Sequence, residues 1–379
     1  MCGPSVADQA FVGLGGNGTN LVLSPPAGRQ VVVDGVVFRS LVDRLDAVEQ
    51  QLAEQQCRIV ADTTTITDLV GEGKWHGGVR AGNNKLYGIP FSSRSVLIID
   101  PDTNTVDTTT IADLPAEPYK WIDGVLAPNG KIYGVPLFSE SVLILDPNIN
   151  TADATAMTGL SGGYKWSGGI LAPNGKIYGI PYMANNVLII DPATNSTSTS
   201  TITGLFGDWK WYGGVLGPND KIYGIPHSSE NVLIIDPTTN TVDTSTITGL
   251  SGPFKWWGGV RTLANKIVGM PYFAHNALLI DPATNTVDTN AFTGANMTGT
   301  HKWHGGTLAN DGRVYGLPGR DDSVIIIDPS ANTSNTAVIT GLPAGFNWSA
   351  SVLASNGKIY GIPLDSPSVL IIKRDCEGL

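Results

Sequence analysis

Short apolar runs separated by turn residues fill most of the chain and recur at a fixed spacing. A Lys-Trp dipeptide marks each recurrence, with a final Asn-Trp variant, at positions 74, 120, 165, 210, 255, 302 and 347. Each unit contains four segments rich in β-branched and aromatic residues, joined by turns such as Asn129-Gly130 and Asp146-Pro147. Four short strands per unit of about 45 residues predict a propeller blade. We therefore predict an all-β, seven-bladed β-propeller of four-stranded blades, with strands A to D in chain order.

The two ends of the repeat region predict how the ring closes. The seventh unit stops after its third strand, while Ala61–Ile66 precedes the first Lys-Trp and matches the fourth strand of the first unit. We expect the segment 58–69 to complete the last blade of a propeller domain at 57–379. This alignment places Cys57 beside Cys376, within the Cα separation that a disulfide needs. A disulfide is predicted, and two free thiols in a reducing compartment are the alternative.

The strand Ser-Val-Leu-Ile-Ile-Asp-Pro, followed by a Thr-Asn-Thr turn, resembles the YVTN-type propeller repeats. The Gly-Gly pair of strand A and the Tyr-Gly pair of strand B also resemble kelch repeats, although the spacing differs. The resemblance covers residues 58–375. It implies a propeller architecture, and because both families host many functions it implies little about activity.

Residues 1–56 differ from the repeats and predict an N-terminal stem. The segment around Val33-Asp34-Gly35 suggests short strands at a turn, and a short heptad helix is predicted over 36–56. Its apolar seam consists of Phe38, Leu41, Leu45, Val48 and Leu52. The order of β-rich segment, heptad helix and globular head resembles the stalk junctions of phage and large-virus fibres. We expect a homo-oligomer, a trimer, with Cys2 able to join stems. The alternative is a single amphipathic helix packed on the propeller.

Composition and motifs exclude several functions. The net charge of -10 disfavours nucleic acid, and no apolar run is long enough to insert in a membrane. The acids before proline, such as Asp146, recur in six units and predict turn caps. The five histidines have no metal-ligand spacing, and no nucleophile, phosphate-cradling or paired-carboxylate motif is present. We predict no metal, no cofactor and no catalytic residue, and therefore a protein that is not an enzyme.

Binding has better candidates, because the loops before strand A and between strands B and C emerge on one face and vary between units. Aromatic rings stack on sugars, and cations pair with sulfate or carboxylate. The predicted ligand contacts are Tyr119, Tyr164, Trp209, Tyr212, Trp257, Tyr182, Tyr272, Phe273, His275, Arg320, Lys165, Lys210 and Lys255. For the repeated Lys-Trp pairs, the alternative is a structural cation–π contact between blades.

The resulting hypothesis is a non-enzymatic binding head of an oligomeric fibre or surface structure, extracellular or on a virion. Its loop-rich face would recognise a glycan or a surface protein. The alternative is a purely structural building block of a virion or extracellular filament, in which the propeller docks neighbouring chains. Such a block would bury the face, or its flank, in an interface of about 1,000 Å² or more.

Overall fold

The fold was obtained as a computed structural model, which describes residues 57–376 and the two short strands Val32–Val33 and Val36–Val37. Within these residues every regular element is a strand, and seven four-stranded antiparallel sheets follow one another along the chain. The prediction of an all-β, seven-bladed propeller is confirmed. No helix among the described residues has the length and apolarity required to cross a bilayer.

Each blade begins with the strand nearest the propeller axis and ends with the outermost one. The A strands are Trp75–Arg80, Trp121–Leu126, Trp166–Leu171, Trp211–Leu216, Trp256–Arg261, Trp303–Leu308 and Trp348–Leu353. The B strands are Leu86–Pro90, Ile132–Pro136, Ile177–Pro181, Ile222–Pro226, Ile267–Pro271, Val314–Pro318 and Ile359–Pro363. The C strands are Leu97–Asp100, Leu143–Asp146, Leu188–Asp191, Leu233–Asp236, Leu278–Asp281, Ile325–Asp328 and Leu370–Asp375. The D strands are Thr105–Asp107, Thr151–Asp153, Ser196–Ser198, Thr241–Asp243, Thr286–Asp288, Thr333–Asn335 and, for blade 7, Arg58–Asp62.

The core lies between blades, where the apolar B and C strands of one blade pack on the repeated tryptophan of the next. Trp121 is fully buried against Tyr87 and Ile89 of blade 1, and its indole Nε1 donates to the carbonyl of Ser141 at 2.7 Å. Burying an indole contributes a large apolar area, and the hydrogen bond satisfies its one polar group. The tryptophan of the repeat therefore specifies the blade interface.

The acids before proline are turn caps, as predicted. Asp146 accepts a hydrogen bond from the backbone N–H of Asn148 at 3.1 Å, and its other oxygen lies 3.7 Å from Nζ of Lys131. Equivalent caps close the C-to-D turns of the other complete units. These carboxylates are half-buried and hold the backbone of each turn in shape.

The last blade uses both ends of the repeat region, because Arg58–Asp62 is the neighbour of Leu370–Asp375 in its sheet. The structure contains the disulfide between Cys57 and Cys376, with Cα atoms 4.3 Å apart. The bond joins residues 319 positions apart in the chain, at the place where the predicted strand closes the ring. The predicted Cys57–Cys376 bridge is confirmed.

The stem residues are described only at the hairpin. Val32–Val33 pairs antiparallel with Val36–Val37. The helix predicted over 36–56 is corrected at its start, since Val36 and Val37 are extended. The seam residues Phe38, Leu41, Leu45, Val48 and Leu52 lie outside the described residues, and so does Cys2.

Candidate binding site

The repeated lysines form the framework of the face on which the D-to-A and B-to-C loops emerge. Lys210 is 4% exposed, and its ammonium group donates to the carbonyls of Gly207 at 2.7 Å, Ala184 at 3.0 Å and Tyr182 at 3.2 Å. Gly207 belongs to the loop of its own blade, whereas Tyr182 and Ala184 belong to the preceding blade. Lys74, Lys120 and Lys255 make the same three-carbonyl contact.

These lysines are inter-blade clamps and do not face the solvent. Burial lowers the pKa of Lys210 to about 8, and its three N–H donors match three carbonyl acceptors, which keeps the ammonium form at neutral pH. Each clamp also lies over the following tryptophan, with Nζ 6.0 Å from the ring centroid for Lys210. The alternative predicted for the Lys-Trp pairs, a structural contact between blades, describes this arrangement.

Immediately before the lysine, five blades carry an aromatic residue in a left-handed backbone conformation. The residues and their φ angles are Tyr119 (59°), Tyr164 (51°), Trp209 (53°), Phe254 (52°) and His301 (59°). In blade 1 the same place is held by Gly73 with a φ of 58°. Glycine adopts this conformation without a steric penalty, whereas a side chain with a Cβ atom costs about 1 kcal/mol. Five blades therefore have an aromatic residue at a position where Gly73 of blade 1 shows that glycine is compatible with the fold.

The rings before the lysine alternate with rings from the B-to-C loops and form a continuous arc around the face, here named the aromatic collar. The collar consists of Phe91, Tyr119, Phe138, Tyr164, Trp209, Phe254, Phe273, His301 and Phe346. Successive centroids lie 4.5 Å apart for Phe138 and Tyr164, 4.8 Å for Tyr164 and Trp209, and 4.6 Å for Phe273 and His301. Between Trp209 and Phe254 the buried rings of Tyr182 and His227 continue the contacts.

Within the collar, four side chains that directly follow the repeated tryptophan form an axial cluster: His76, Tyr212, Trp257 and His304. Trp257 stacks on Tyr212 at 3.7 Å and on His304 at 4.8 Å between ring centroids. The hydroxyl of Tyr212 lies 3.3 Å from Nε2 of His76, which joins blade 4 to blade 1. A register shift near the start of strand A occurs in every blade at this level, the irregularity by which a strand re-aims its side chains.

The histidines of this region are neutral at physiological pH. Burial lowers the pKa of His76 and of His227 to about 4, and that of His304 to about 3. His304 has no hydrogen-bond partner at either ring nitrogen within the described part of the chain. No group of three or more His, Cys, Asp or Glu side chains between residues 57 and 376 could hold a metal ion. The axial cluster is thus an uncharged aromatic surface.

Asp123 lies just below the axial cluster and was missed from the sequence. It stands where five other blades have the first glycine of the Gly-Gly pair, and its carboxylate accepts hydrogen bonds from the backbone N–H groups of Gly124 at 2.8 Å and Gly169 at 3.3 Å. Burial among the A strands raises the pKa of Asp123 to about 6. The signal that would have revealed it was present: Lys-Trp-Ile-Asp-Gly is the one Lys-Trp unit without Gly-Gly.

Of the predicted ligand contacts, Tyr119, Tyr164, Trp209, Trp257, Phe273, His275 and Arg320 retain exposed surface. Six others are buried: Tyr182, Tyr212, Tyr272, Lys165, Lys210 and Lys255. Their prediction as contacts on the outer face is corrected. The tyrosine rings support the exposed rings from below, and the lysines hold the loops that carry those rings. Arg320 is exposed, with its guanidinium 5.0 Å from the ring centroid of Phe346.

An open pocket of about 340 Å³ adjoins the collar in blade 3. Gly163 and Lys165, which flank Tyr164, contribute to its wall together with Asn185 and Asn186. The buried Oδ1 atom of Asn186 has no hydrogen-bond partner within residues 57–376. A buried amide oxygen without a partner is costly to folding, and the residue that carries it lines this pocket.

No protein-family model matches the chain, and no curated protein matches it. Solved structures share its architecture. Virginiamycin B lyase from Staphylococcus aureus superposes with a TM-score of 0.65 at 11% identity, over 84% of this chain and 99% of that one. Kuenenia stuttgartiensis hydrazine synthase gives 0.61 at 19% identity, over 81% and 97%. An extracellular domain from B. thetaiotaomicron gives 0.63 at 7% identity, over 82% and 43%. At these identities the likeness establishes the seven-bladed fold and leaves function open.

Proposed function

We propose that the propeller is a non-enzymatic binding head that recognises a glycan through the aromatic collar. One observation carries the proposal: five blades keep an aromatic residue in a left-handed conformation that blade 1 fills with Gly73. A strained backbone conformation is typical of functional positions when glycine, which would relieve the strain, fits the same place. The rings of Tyr119 and Tyr164 are 44% and 38% exposed, so burial in the core does not account for them.

The chemistry of the face suits a sugar. Exposed aromatic rings stack on the apolar faces of pyranose rings, and sugar hydroxyls need nearby donors and acceptors. Tyr164 and Trp209 supply adjacent rings, and the blade 3 pocket, lined in part by Asn185 and Asn186, is bordered by the residues that flank Tyr164. Arg320, at another point of the collar, would pair with a sulfate or carboxylate of an anionic glycan.

The wider setting of this head is also a proposal. An oligomeric stem formed by residues 1–56, as in the fibre junctions that the sequence resembles, would present several collars together and raise avidity. A location outside the cell is supported by the Cys57–Cys376 disulfide and by propeller neighbours that are extracellular domains. The virion surface is the specific location that we propose.

The test is a screen of the full-length protein on a glycan microarray, followed by calorimetry with the best soluble oligosaccharide. Trp209→Ala and Tyr164→Ala should each weaken binding at least tenfold. The matched control is Phe206→Ala, because Phe206 is 77% exposed in the same loop as Trp209 and lies outside the collar. The oligosaccharide should be recovered chemically unchanged.

Three results would overturn the proposal: no glycan bound more tightly by the wild type than by Trp209→Ala and Tyr164→Ala, an equal loss in the Phe206→Ala control, or turnover of the sugar. Binding of a protein through the same collar would replace the glycan with a protein partner.

A further inference from the structure

A second site lies on the propeller axis, inside the ring rather than on its face. A cavity of about 200 Å³ is lined by strand A residues of all seven blades. Its wall includes the axial cluster residues His76, Tyr212 and Trp257, together with Asp123 and several glycines. None of the collar residues lines it, so the cavity is independent of the glycan proposal.

Asp123 gives this cavity an uncompensated negative charge. No lysine or arginine is among its lining residues, and His76 is neutral because burial depresses its pKa. The backbone N–H groups of Gly124 and Gly169 donate hydrogen bonds to the carboxylate. An enclosed carboxylate that lacks a counter-charge is expensive to keep ionised, and the fold does not need it, since glycine holds the equivalent place in five blades.

Aromatic side chains complete the wall. Trp257 and Tyr212 stack on one another and both line the cavity, and Asp123 is close enough to raise the pKa of the Tyr212 hydroxyl further. Tyr212 and His304 both stack on the Trp257 indole, so the rings border the cavity as an uncharged apolar wall. One carboxylate in an otherwise apolar wall suits the single charge and the alkyl groups of an organic ammonium ion.

A metal ion would find a poorer environment. Divalent cations prefer several oxygen ligands, whereas this cavity offers one carboxylate, and no metal-binding group of side chains occurs within residues 57–376. The remaining wall residues include Ile122 and Ile170, whose apolar surface suits the methyl groups of an organic cation.

We propose that the axial cavity binds a small organic ammonium ion, with Asp123 as the counter-charge and the rings of Trp257 and Tyr212 as the aromatic wall. The ion would neutralise the carboxylate and fill space that the Gly-Gly pairs of the repeat leave open. Asp123 departs from the glycine of the repeat, and Tyr212 and Trp257 occupy a position that varies between the blades.

The test titrates the full-length protein with choline chloride and tetramethylammonium chloride at constant ionic strength, by calorimetry and by tryptophan fluorescence. Saturable binding is expected for both. The uncharged analogue 3,3-dimethyl-1-butanol should bind at least tenfold more weakly. Asp123→Asn keeps an acceptor oxygen without the charge and should weaken choline binding at least tenfold, as should Asp123→Gly.

The matched control is Asp220→Gly. Asp220 has a φ of 61° in an exposed turn where other blades have glycine, so the same substitution is made at a place remote from the cavity. Circular dichroism verifies that each variant is folded. The proposal is wrong if choline does not saturate, if the uncharged analogue binds equally well, if Asp123→Asn binds as the wild type does, or if Mg²⁺ or Ca²⁺ displaces choline at lower concentration.

Discussion

Replacing Asp123 with asparagine should make the protein more stable at neutral pH, which is the opposite of what most substitutions at enclosed polar positions do. The amide oxygen can accept the 2.8 Å hydrogen bond from the N–H of Gly124, whereas the longer bond from the N–H of Gly169, which reaches the other carboxylate oxygen, is lost. The substitution removes the charge that the A strands enclose. If Asp123 serves to bind a cation, we expect its ionised carboxylate to lower the free energy of unfolding.

The magnitude follows from the pKa of Asp123, which burial raises from 3.8 to about 6. At about 1.36 kcal/mol for each pH unit, this difference corresponds to about 3 kcal/mol. The value is an upper bound, because the carboxylate borders the cavity and keeps some access to water. Between pH 3.8 and 6 the folded protein binds a proton that the unfolded chain lacks, so the cost grows as the pH rises through this window. Above pH 6 it is constant, and below 3.8 it vanishes.

The assay is chemical denaturation of wild type and Asp123→Asn at pH 7.5 and pH 3.5, without ammonium ions. The variant should be more stable by up to about 3 kcal/mol at pH 7.5 and equal to wild type at pH 3.5. The buried histidines destabilise both proteins equally at low pH and cancel in the difference. A variant less stable at pH 7.5, or a difference that is independent of pH, would refute the reasoning. Saturating choline should reduce the gap at pH 7.5, because the wild type binds it more tightly than the variant does.

Three further predictions concern the framework. Lys210→Met should lower the free energy of unfolding by about 3 kcal/mol, because three buried carbonyls lose a charged donor. Lys210→Asn should lower the free energy of unfolding by less. Equal stability of the wild type and both variants in denaturant would contradict the clamp. Replacing Cys57 and Cys376 with serine should cost about 4 kcal/mol, and an unchanged melting temperature under oxidising conditions would contradict a stabilising disulfide. Native mass spectrometry should find a trimer of the intact chain and a monomer of a chain that begins at Cys57, whereas monomers in both cases would remove the fibre-like stem.

The architecture was predictable because its information is local and repeated. Turn residues, β-branched runs and the tryptophan at a constant spacing each determine one strand or interface, and seven copies of the same signal reinforce one another. Even the closure of blade 7 and its disulfide followed from aligning Ala61–Ile66 with the first unit. The error at Val36 and Val37 arose where a single copy of a weak apolar pattern was extended by two residues into a hairpin.

The site was less predictable, because direction and depth of side chains depend on neighbouring blades. In the sequence, a cationic surface is the simple interpretation of Lys165, Lys210 and Lys255. In the structure their ammonium groups point inward, because they donate to carbonyls of the B-to-C loop of the preceding blade. The exposed rings of Tyr119 and Trp209 were recognised because the loops vary between units. Asp123 was overlooked because the comparison concentrated on the loops and not on the glycine pair.

The clamp has a consequence for how the ring opens. Blade 7 has Asn347 in place of lysine, and its amide donates to Pro343 and Gly345 of its own loop; within residues 57–376 it makes no hydrogen bond to blade 6. That joint keeps a link near the axis, where Thr307 donates to the carbonyl of Ser351 at 2.9 Å. Six joints have a lysine clamp at the level of the loops, whereas the joint between blades 6 and 7 has there only the contacts of Phe346 with His301 and Arg320 among those described above. Thermal fluctuations should therefore separate the loops first between blades 6 and 7, where amide hydrogen exchange would be fastest. A bulky ligand that binds the collar would find the most deformable part of the collar there.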